Sequence, residues 1–471
     1  MIITTKKDLV WSYLAQIFKY GSSLFLLPIV LINLPSDQLA IWYIFTSINA
    51  LIFLLDFGFQ PNITRNVTYV FSGANKLLKE GVELFIENNE INYPLLYALI
   101  KTIKKIYRKL AVAGFIILLS AGSLYYTSII GEVKSVSREF LWISWIIFAI
   151  ATVFNFYFTY LKCLLIGKGL IQQAQKASIL TAATYLIIGL IGLKLGYGLI
   201  ALTLATLISS LVNRTISYNY FYESKLKSEL NKSKISRIDN KELFPIIWHN
   251  AKKMGLVILG GFLINQANIL IIPKFLSLDM VAKFGLMKQL IAIITTISAI
   301  FFTTYTPKMN SLFIIRRNDK LIKILGISLI IFAILFLLAS LILIFMGNNL
   351  LNLIGSHTLL LPTQLILIML LIGLLDQQHT MMANVLTFSN YIPFVKASLI
   401  SGIIYIIISF LLLKYTSIGL YAVIIPGLLV QLAYNNWKWP LEASKMLKVN
   451  YSFIWKSSFK TMHNLLAERI N

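Results

Sequence analysis

The chain has 471 residues, of which 58% are hydrophobic and only 13% are charged, and its mean hydropathy is +0.78. This composition excludes an ordinary soluble globular protein and is typical of a polytopic membrane protein. The single cysteine, Cys163, excludes an intramolecular disulfide. A net charge of +24 raises the question of nucleic-acid binding, which the distribution of the basic residues answers below.

Apolar runs of about twenty residues recur from one end of the chain to the other, and each can cross about 30 Å of hydrocarbon as a helix. They predict an all-α polytopic membrane protein of about twelve transmembrane helices. The predicted spans are residues 10–33, 38–58, 108–130, 138–163, 175–193, 197–213, 251–272, 280–306, 321–346, 358–383, 395–413 and 418–436.

Basic residues are concentrated in alternate connections between these spans. About 34 of the 42 Lys and Arg residues lie in those connections and at the termini, against about six on the opposite side. The positive-inside rule therefore predicts that both termini are cytoplasmic, and nucleic acid is not an expected partner. Segments 72–107 and 441–471 mix lysines with apolar residues, which predicts amphipathic helices on the inner leaflet or, alternatively, solvated segments.

An internal repeat predicts two halves. Residues 176–194 (KASILTAATYLIIGLIGLK) align without a gap on residues 396–414 (KASLISGIIYIIISFLLLK), including both flanking lysines. The offset makes predicted helices five and six equivalent to eleven and twelve, so the halves have six helices each and are related by a pseudo-two-fold along the membrane normal. The predicted domains are an N-terminal bundle (1–220), a basic cytoplasmic linker (221–250), a C-terminal bundle (251–437) and a cytoplasmic amphipathic tail (438–471).

Two prolines align the starts of the halves. Superposing Pro28 on Pro273 makes predicted helix seven the counterpart of helix one and brings Lys19 level with Asn265 and Gln266. Both prolines permit bends, although an ordinary proline of a membrane helix is the simpler interpretation.

Four stretches carry a resemblance over nearly the whole chain: LLPIVLINL (26–34), LLDFGFQPNITRN (54–66), NILIIPKFLSLDMVAKFGLMKQL (268–290) and YNNWKWP (434–440). In these motifs the sequence resembles the Wzx-type polysaccharide flippases of the MOP (MATE-like) superfamily. The resemblance implies a multi-pass protein of the bacterial inner (cytoplasmic) membrane whose helices one, two, seven and eight line a central cleft. It departs from the family early in helix seven, where many relatives have an acid and this chain has Asn265, Gln266 and Asn268.

The function that the resemblance implies is translocation of a polyprenyl-diphosphate-linked oligosaccharide repeat unit by alternating access, for O-antigen or capsule biosynthesis. Its implied partners are that lipid-linked substrate, membrane lipids and, in the same machinery, a polysaccharide polymerase and a chain-length protein. No cofactor or metal is expected beyond a coupling H⁺ or Na⁺.

Two lysines near mid-membrane are the predicted substrate site. Lys19 and Lys288 each lie about ten residues from a helix end, hence near half depth, and a central lysine costs about 2.5 to 3.5 kcal/mol on insertion scales. Such residues usually face a cavity or a partner, so we expect both lysines, with Asn265 and Gln266, to bind the lipid diphosphate in the cleft. The alternative is that each lysine snorkels or pairs with a carboxylate.

Four further residues are candidates for ion coupling or gating. Asp376 and His379 lie at i and i+3 on one helix face, which suits a proton or sodium site or, equally, a helix–helix hydrogen-bond cluster. Asp56 lies at the end of helix two, where the helix dipole disfavours an anion, so we expect a cationic partner such as Arg65.

Two other functions remain open at this stage. A MATE-like cation-coupled exporter of small molecules shares the helix pattern, but its cleft is expected to present acids rather than lysines. A polytopic polysaccharide polymerase or glycosyltransferase shares the composition, but it needs a sizeable outer loop with catalytic acids, and no such loop or nucleophile motif is found. We therefore expect a transporter and no enzyme.

Overall fold

A computed structural model describes residues 11, 18, 21, 25–78, 91–233, 240–314, 316–389 and 393–456. Every regular element within these residues is helical. The chain divides between Phe262 and Leu263 into two compact units.

The first unit consists of helices joined mostly by short turns, and residues 25–33 are also helical. Its helices are α1 (Ser36–Phe53), α2 (Phe59–Phe71), α3 (Tyr93–Ile117), α4 (Ser123–Thr127), α5 (Arg138–Phe158), α6 (Tyr160–Gly167), α7 (Ile171–Lys194), α8 (Gly198–Phe221) and α9 (Ser224–Lys232), followed by α10 (Asn240–Asn265), which crosses into the second unit.

The second unit continues from the end of α10. Its helices are α11 (Ala267–Ile271), α12 (Leu278–Ser298), α13 (Ile300–Ile314), α14 (Asn318–Leu353), α15 (Thr363–Leu386), α16 (Val395–Tyr415), α17 (Tyr421–Ala433) and α18 (Asn435–Met446).

The predicted fold class is confirmed. Nine helices in the described part of the chain are long and apolar enough to cross a membrane, and a tenth is added if the bent pair Gly255–Asn265 and Ala267–Lys274 is one span. Half of predicted span 10–33, including Lys19, lies outside the described residues. Predicted span 418–436 is interrupted, because α17 ends at Ala433 and α18 begins at Asn435. The twelve-helix total, the orientation and the domain bounds stay predictions.

The third predicted span starts earlier than the sequence pattern indicated. Residues 93–127 form one span of 35 residues, so 93–107 is the first part of that span and not a separate surface helix. Leu95, Leu99, Ile103 and Ile106 are buried along this first part. Their helical spacing continues into the apolar run without a break, which explains why the helix continues.

Close packing of small residues joins α7 to α8. A Cβ atom placed on Gly192 would lie 2.7 Å from the Cβ of Ala201, a distance that only glycine permits. Small residues at this position let the two backbones approach closely, which is the usual way in which membrane helices associate.

The bend in the span that opens the second unit lies at Gln266. The helices on its two sides differ in direction by 56°, and Gln266 has a non-helical φ of −125°. The amide of Ile269 bonds to the carbonyl of Gln266 rather than to that of Asn265, which an α-helix would require. The bend therefore lies before Pro273, which is part of a 3-10 turn (Ile272–Lys274).

Candidate functional site in the second unit

The Lys288 side chain binds the backbone carbonyl of Asn265, the residue directly before the bend at Gln266. Its Nζ donates a hydrogen bond to the backbone oxygen of Asn265 and lies 5.5 Å from the ring centroid of Phe284, one turn earlier on α12. A broken helix inside a membrane needs a new donor for its freed carbonyl, because lipid supplies none. Lys288 thus stabilises the bend and carries a positive charge to it.

Asp376 on α15 places a negative charge beside that lysine. The Asp376 carboxylate and the Lys288 ammonium interact electrostatically, and Asp376 Oδ1 lies 3.7 Å from Nδ1 of His379. The Asp376 side chain is 24% exposed and that of His379 is 14% exposed. The i, i+3 spacing therefore brings acid and imidazole together, as the sequence predicted, and α12 adds a cation.

A chain of amides approaches the same carboxylate from α17 and α18. Trp439 Nε1 donates to Asn435 Oδ1 at 3.0 Å, and Asn435 Nδ2 donates to Gln431 Oε1 at 2.6 Å. Because the side-chain oxygen of Gln431 accepts the bond from Asn435, the amide nitrogen of Gln431 is the atom that donates to Asp376. Hydrogen bonds in a chain polarise one another, so the bonds from Trp439 and Asn435 strengthen Gln431 as a donor to Asp376.

His379 is held by the neighbouring amide. Its Nδ1 lies 2.8 Å from Oδ1 of Asn436, which fixes the ring between α15 and the start of α18. Since an amide oxygen only accepts, this contact favours the tautomer with the proton on Nδ1.

The polar cluster, as we call this set, consists of residues from five helices that meet inside the second unit: Asn265, Lys288, Asp376, His379, Gln431, Asn435 and Asn436. Helices α15, α17 and α18 supply most of them, and the end of α10 and the middle of α12 supply Asn265 and Lys288.

Two buried polar atoms of this cluster have no hydrogen-bond partner within the described residues. They are Oδ1 of Asp376 and Nδ2 of Asn436. Buried polar atoms are almost always paired with protein, water or an ion. The cluster is therefore suited to hold water or a small cation, with the Asp376 oxygen as its charged ligand. No three His, Cys, Asp or Glu side chains of the described chain come together as a metal site.

The structure brings residues predicted for substrate binding together with residues predicted for ion coupling. Lys288 and Asn265, predicted for substrate binding, lie in one cluster with Asp376 and His379, predicted for ion coupling. Gln266 lies at the bend itself, and Lys19 lies outside the described residues. Lys288 also interacts electrostatically with the Asp376 carboxylate. The functional roles of these residues stay predictions.

Gln431, Asn435 and Asn436 were not predicted as site residues. A signal existed: Gln431, Asn435 and Trp439 lie at i, i+4 and i+8 in an apolar stretch, which places them on one face of a helix. Asn436 carries no comparable signal, because its contact with His379 joins residues 57 positions apart.

Asp56 and Arg65, in the first unit, do not form the predicted ion pair. Asp56 is 4% exposed and accepts hydrogen bonds from the Tyr107 hydroxyl at 2.5 Å and from the Gln60 amide at 3.3 Å. Arg65 instead donates to Asn62 at 3.0 Å. The expected pair is wrong because the turn at Phe57 and Gly58, both with positive φ, starts a new helix whose backbone and a neighbouring tyrosine bind the carboxylate. The proposed gating role of both residues stays a prediction.

Tyr107→Phe is expected to lower the free energy of unfolding by about 1.5 to 3 kcal/mol, because it removes a hydrogen bond to a buried charged group. The matched control is Tyr126→Phe, whose hydroxyl donates to the neutral carbonyl of Leu141 at 3.0 Å, and there we expect about 0.5 to 1.5 kcal/mol. Unfolding titrations of both variants in detergent measure the difference. A smaller effect at Tyr107 than at Tyr126 would contradict a charged Asp56.

Comparison with known proteins gives matches in fold only. No family model matches the chain, and no curated protein matches its sequence. The inward-facing conformation of a multidrug resistance MATE family transporter of the MOP superfamily matches 94% of this chain and 99% of its own, with 16% identity and a TM-score of 0.62. The outward-facing conformation of such a transporter matches 95% and 99%, with 16% identity and a TM-score of 0.51.

A third match is a MOP superfamily transporter from Pyrococcus furiosus. It matches 95% of this chain and 100% of its own, with 14% identity and a TM-score of 0.51, and it is described as having a binding pocket of reverse polarity that suggests a different function. The chain therefore has the fold of the MATE transporters of the MOP superfamily. The resemblance drawn from the sequence motifs is confirmed at the level of the fold.

Proposed function

We propose that this chain, with the fold of MATE transporters, is a flippase that moves a polyprenyl-diphosphate-linked oligosaccharide across the bacterial inner membrane by alternating access. In this proposal it serves O-antigen or capsule synthesis beside a polysaccharide polymerase and a chain-length protein. Solved structures of the same fold in inward- and outward-facing conformations support the alternating-access part of the proposal.

The charge of the spans is the observation that supports an anionic substrate best. Apart from acids in the first turn of a helix, the spans of the described chain contain two acids, Asp56 and Asp376. Asp56 accepts hydrogen bonds from Tyr107 and from a backbone amide, and Asp376 interacts electrostatically with Lys288. A cationic substrate would therefore meet only two such carboxylates in these spans, both already engaged by neighbouring groups, whereas a diphosphate requires cations in a site where its charge is buried.

The sugars and the lipid tail of a lipid-linked oligosaccharide require different surroundings during transport. Each sugar hydroxyl costs about 4 to 8 kcal/mol to move unpaired into an alkane-like phase, so an oligosaccharide needs a polar path. The polyprenyl tail gains about 0.8 kcal/mol per buried methylene and stays in the bilayer. We propose that Lys19 and Lys288, with Asn265 and Gln266, contact the diphosphate and the first sugars.

Ion coupling is assigned in this proposal to Asp376 and His379. The free Oδ1 of Asp376 can take a proton or a sodium ion, and either would weaken the attraction between Asp376 and Lys288. Lys288 would then be released toward an anionic substrate, which couples the ion to the substrate through one two-state contact.

A complementation experiment tests the proposal in the native host. Deletion of the gene is expected to abolish surface polysaccharide, and Lys19→Ala is expected not to restore it, although the variant reaches the membrane in normal amount. Lys194→Ala, at the exposed end of α7, is the matched control and is expected to restore the polymer. Normal polymer from Lys19→Ala would exclude Lys19 from substrate binding, and normal polymer from the deletion strain would exclude the function.

A second candidate is a cation-coupled exporter of small molecules. The observation that favours it is again Asp376, because one buried carboxylate oxygen without a partner is suited to cation exchange. The fold does not distinguish the two candidates, since one fold hosts different substrates and the Pyrococcus furiosus protein is described as having a pocket of reverse polarity.

A further inference from the structure

Arg214, near the end of α8, lies on two aromatic rings of the first unit. Its guanidinium carbon lies 5.3 Å from the ring centroid of Phe158 and 5.7 Å from that of Tyr218. A guanidinium that is held beside aromatic rings keeps N–H donors along its edges, and these donors can recognise phosphate by two parallel hydrogen bonds.

Two lysines lie over the same aromatic surface. Lys227 Nζ, from α9, lies 5.4 Å from the ring centroid of Tyr218, and Lys104 Nζ, from α3, lies 5.3 Å from that of Tyr222. The rings of Tyr218 and Tyr222 are 4.6 Å apart. Three cations from three helices therefore lie over one pair of adjacent tyrosine rings, which are tilted by 40° to each other.

No acidic partner of these three cations is found in the described part of the chain. No described carboxylate forms a salt bridge with Lys104, Arg214 or Lys227, and Glu223, which lies between Arg214 and Lys227 in the chain, pairs instead with Lys168 at 3.3 Å. The hydroxyl of Tyr222 is also buried without a hydrogen-bond partner in the described structure. Like charges held together without a counter-charge repel one another, so the arrangement calls for an external anion.

The position of this patch indicates where the anion comes from. Lys104 lies in the first half of span Tyr93–Thr127, Phe158 lies in the last third of span Arg138–Gly167, and Arg214 and Tyr218 lie in the last two turns of span Gly198–Phe221. Aromatic and basic side chains at span ends lie at the depth of lipid headgroups. The connections at this end are the basic ones that the positive-inside rule places in the cytoplasm.

We propose that the basic aromatic patch, formed by Lys104, Arg214 and Lys227 over Tyr218 and Tyr222, binds the phosphate headgroup of an anionic lipid of the inner leaflet. The guanidinium edge of Arg214 holds two phosphate oxygens, and the two ammonium groups neutralise the remaining charge. The site is separate from the polar cluster and does not depend on the substrate proposed above.

Native mass spectrometry of the detergent-solubilised chain with phosphatidylglycerol, and separately with phosphatidylcholine, tests this proposal. Lys104→Gln combined with Arg214→Gln is expected to weaken phosphatidylglycerol binding at least about tenfold, because each basic residue near the surface contributes about 1 kcal/mol. Lys101→Gln combined with Lys105→Gln removes two exposed charges from α3 and is expected to change binding less than about twofold. Equal losses in the two double variants would overturn the proposal.

A charge-neutral variant separates a built site from a diffuse positive potential. Tyr218→Leu keeps every cation but removes the ring that positions Arg214 and Lys227, and we expect about fivefold weaker phosphatidylglycerol binding from the loss of two cation–π contacts. Unchanged binding would overturn the site. Displacement of phosphatidylglycerol by an equal concentration of inorganic phosphate would overturn the lipid as its ligand.

Discussion

Asp376→Asn is expected to lower ion-gradient-driven transport at least about tenfold, because a charge-assisted contact contributes about 1.5 to 3 kcal/mol and the amide can neither bind a proton nor ligate sodium with a charge. The substitution preserves the shape of the side chain and keeps an oxygen near Gln431. What it removes is the negative charge beside Lys288 and the one carboxylate of the polar cluster. Initial transport rates in vesicles, with and without a proton or sodium gradient, measure the effect.

The control for this experiment is Asp279→Asn. Asp279 starts α12 in the same unit, is 45% exposed and pairs with Lys283 at 2.6 Å, so its loss is expected to cost no more than about 0.5 kcal/mol and to leave transport unchanged. Asp376→Glu retains the carboxylate and is expected to recover part of the rate. A flux that responds normally to both gradients in Asp376→Asn would make the cluster structural only.

Lys288→Met is expected to lower the free energy of unfolding by about 1 to 3 kcal/mol, because it leaves Asp376 without its cation and the carbonyl of Asn265 without its donor. Methionine keeps the length and most of the volume of the lysine side chain, so packing against Phe284 is retained. The same substitution is expected to abolish transport of a diphosphate-linked substrate. Unfolding titrations in detergent and transport rates in vesicles measure the two effects.

A double-mutant cycle separates the two roles of Lys288. If Lys288 and Asp376 compensate each other, Lys288→Met with Asp376→Asn is more stable than the sum of the single losses predicts, with a coupling of about 0.5 to 3 kcal/mol. The double variant is expected to recover stability without recovering transport. Additive losses of unfolding free energy would show that the two charges do not interact. An ion bound at Asp376 could then not release Lys288.

The fold was predictable because each membrane helix is encoded by one continuous apolar segment of the sequence. An apolar run of sufficient length has few alternatives to a helix in a bilayer, so most of the described spans lie close to their predicted positions. The start of the span at Tyr93 was missed because Lys101, Lys104 and Lys105 lower the hydropathy of a helix whose other face is buried. The bend at Gln266 was not predicted, because Gln266 carries no local signal for a break and the contact that stabilises it comes from a lysine on another helix.

The candidate site was predictable only where its residues are neighbours along one helix. Asp376 and His379 lie one turn apart, so the sequence brought them together. The electrostatic interaction of Lys288 with Asp376 links α12 to α15, and the hydrogen bond between Gln431 and Asp376 links α17 to α15. Such pairings depend on how the helices pack, which composition and periodicity do not specify. The partner expected for Asp56 was wrong for the same reason, since Tyr107 comes from another helix.

The central claim, that the chain carries a lipid-linked anionic substrate, is tested most directly by reconstitution into liposomes with a fluorescent polyprenyl-diphosphate oligosaccharide in one arm and a small fluorescent organic cation in the other. The headgroup that reaches the far leaflet is quenched by a membrane-impermeant reagent, and Lys288→Met liposomes provide the background. The account predicts that the wild-type protein moves the diphosphate-linked oligosaccharide well above this background and does not move the cation. Gradient-driven movement of the cation, with no movement of the oligosaccharide, would contradict it and identify an exporter.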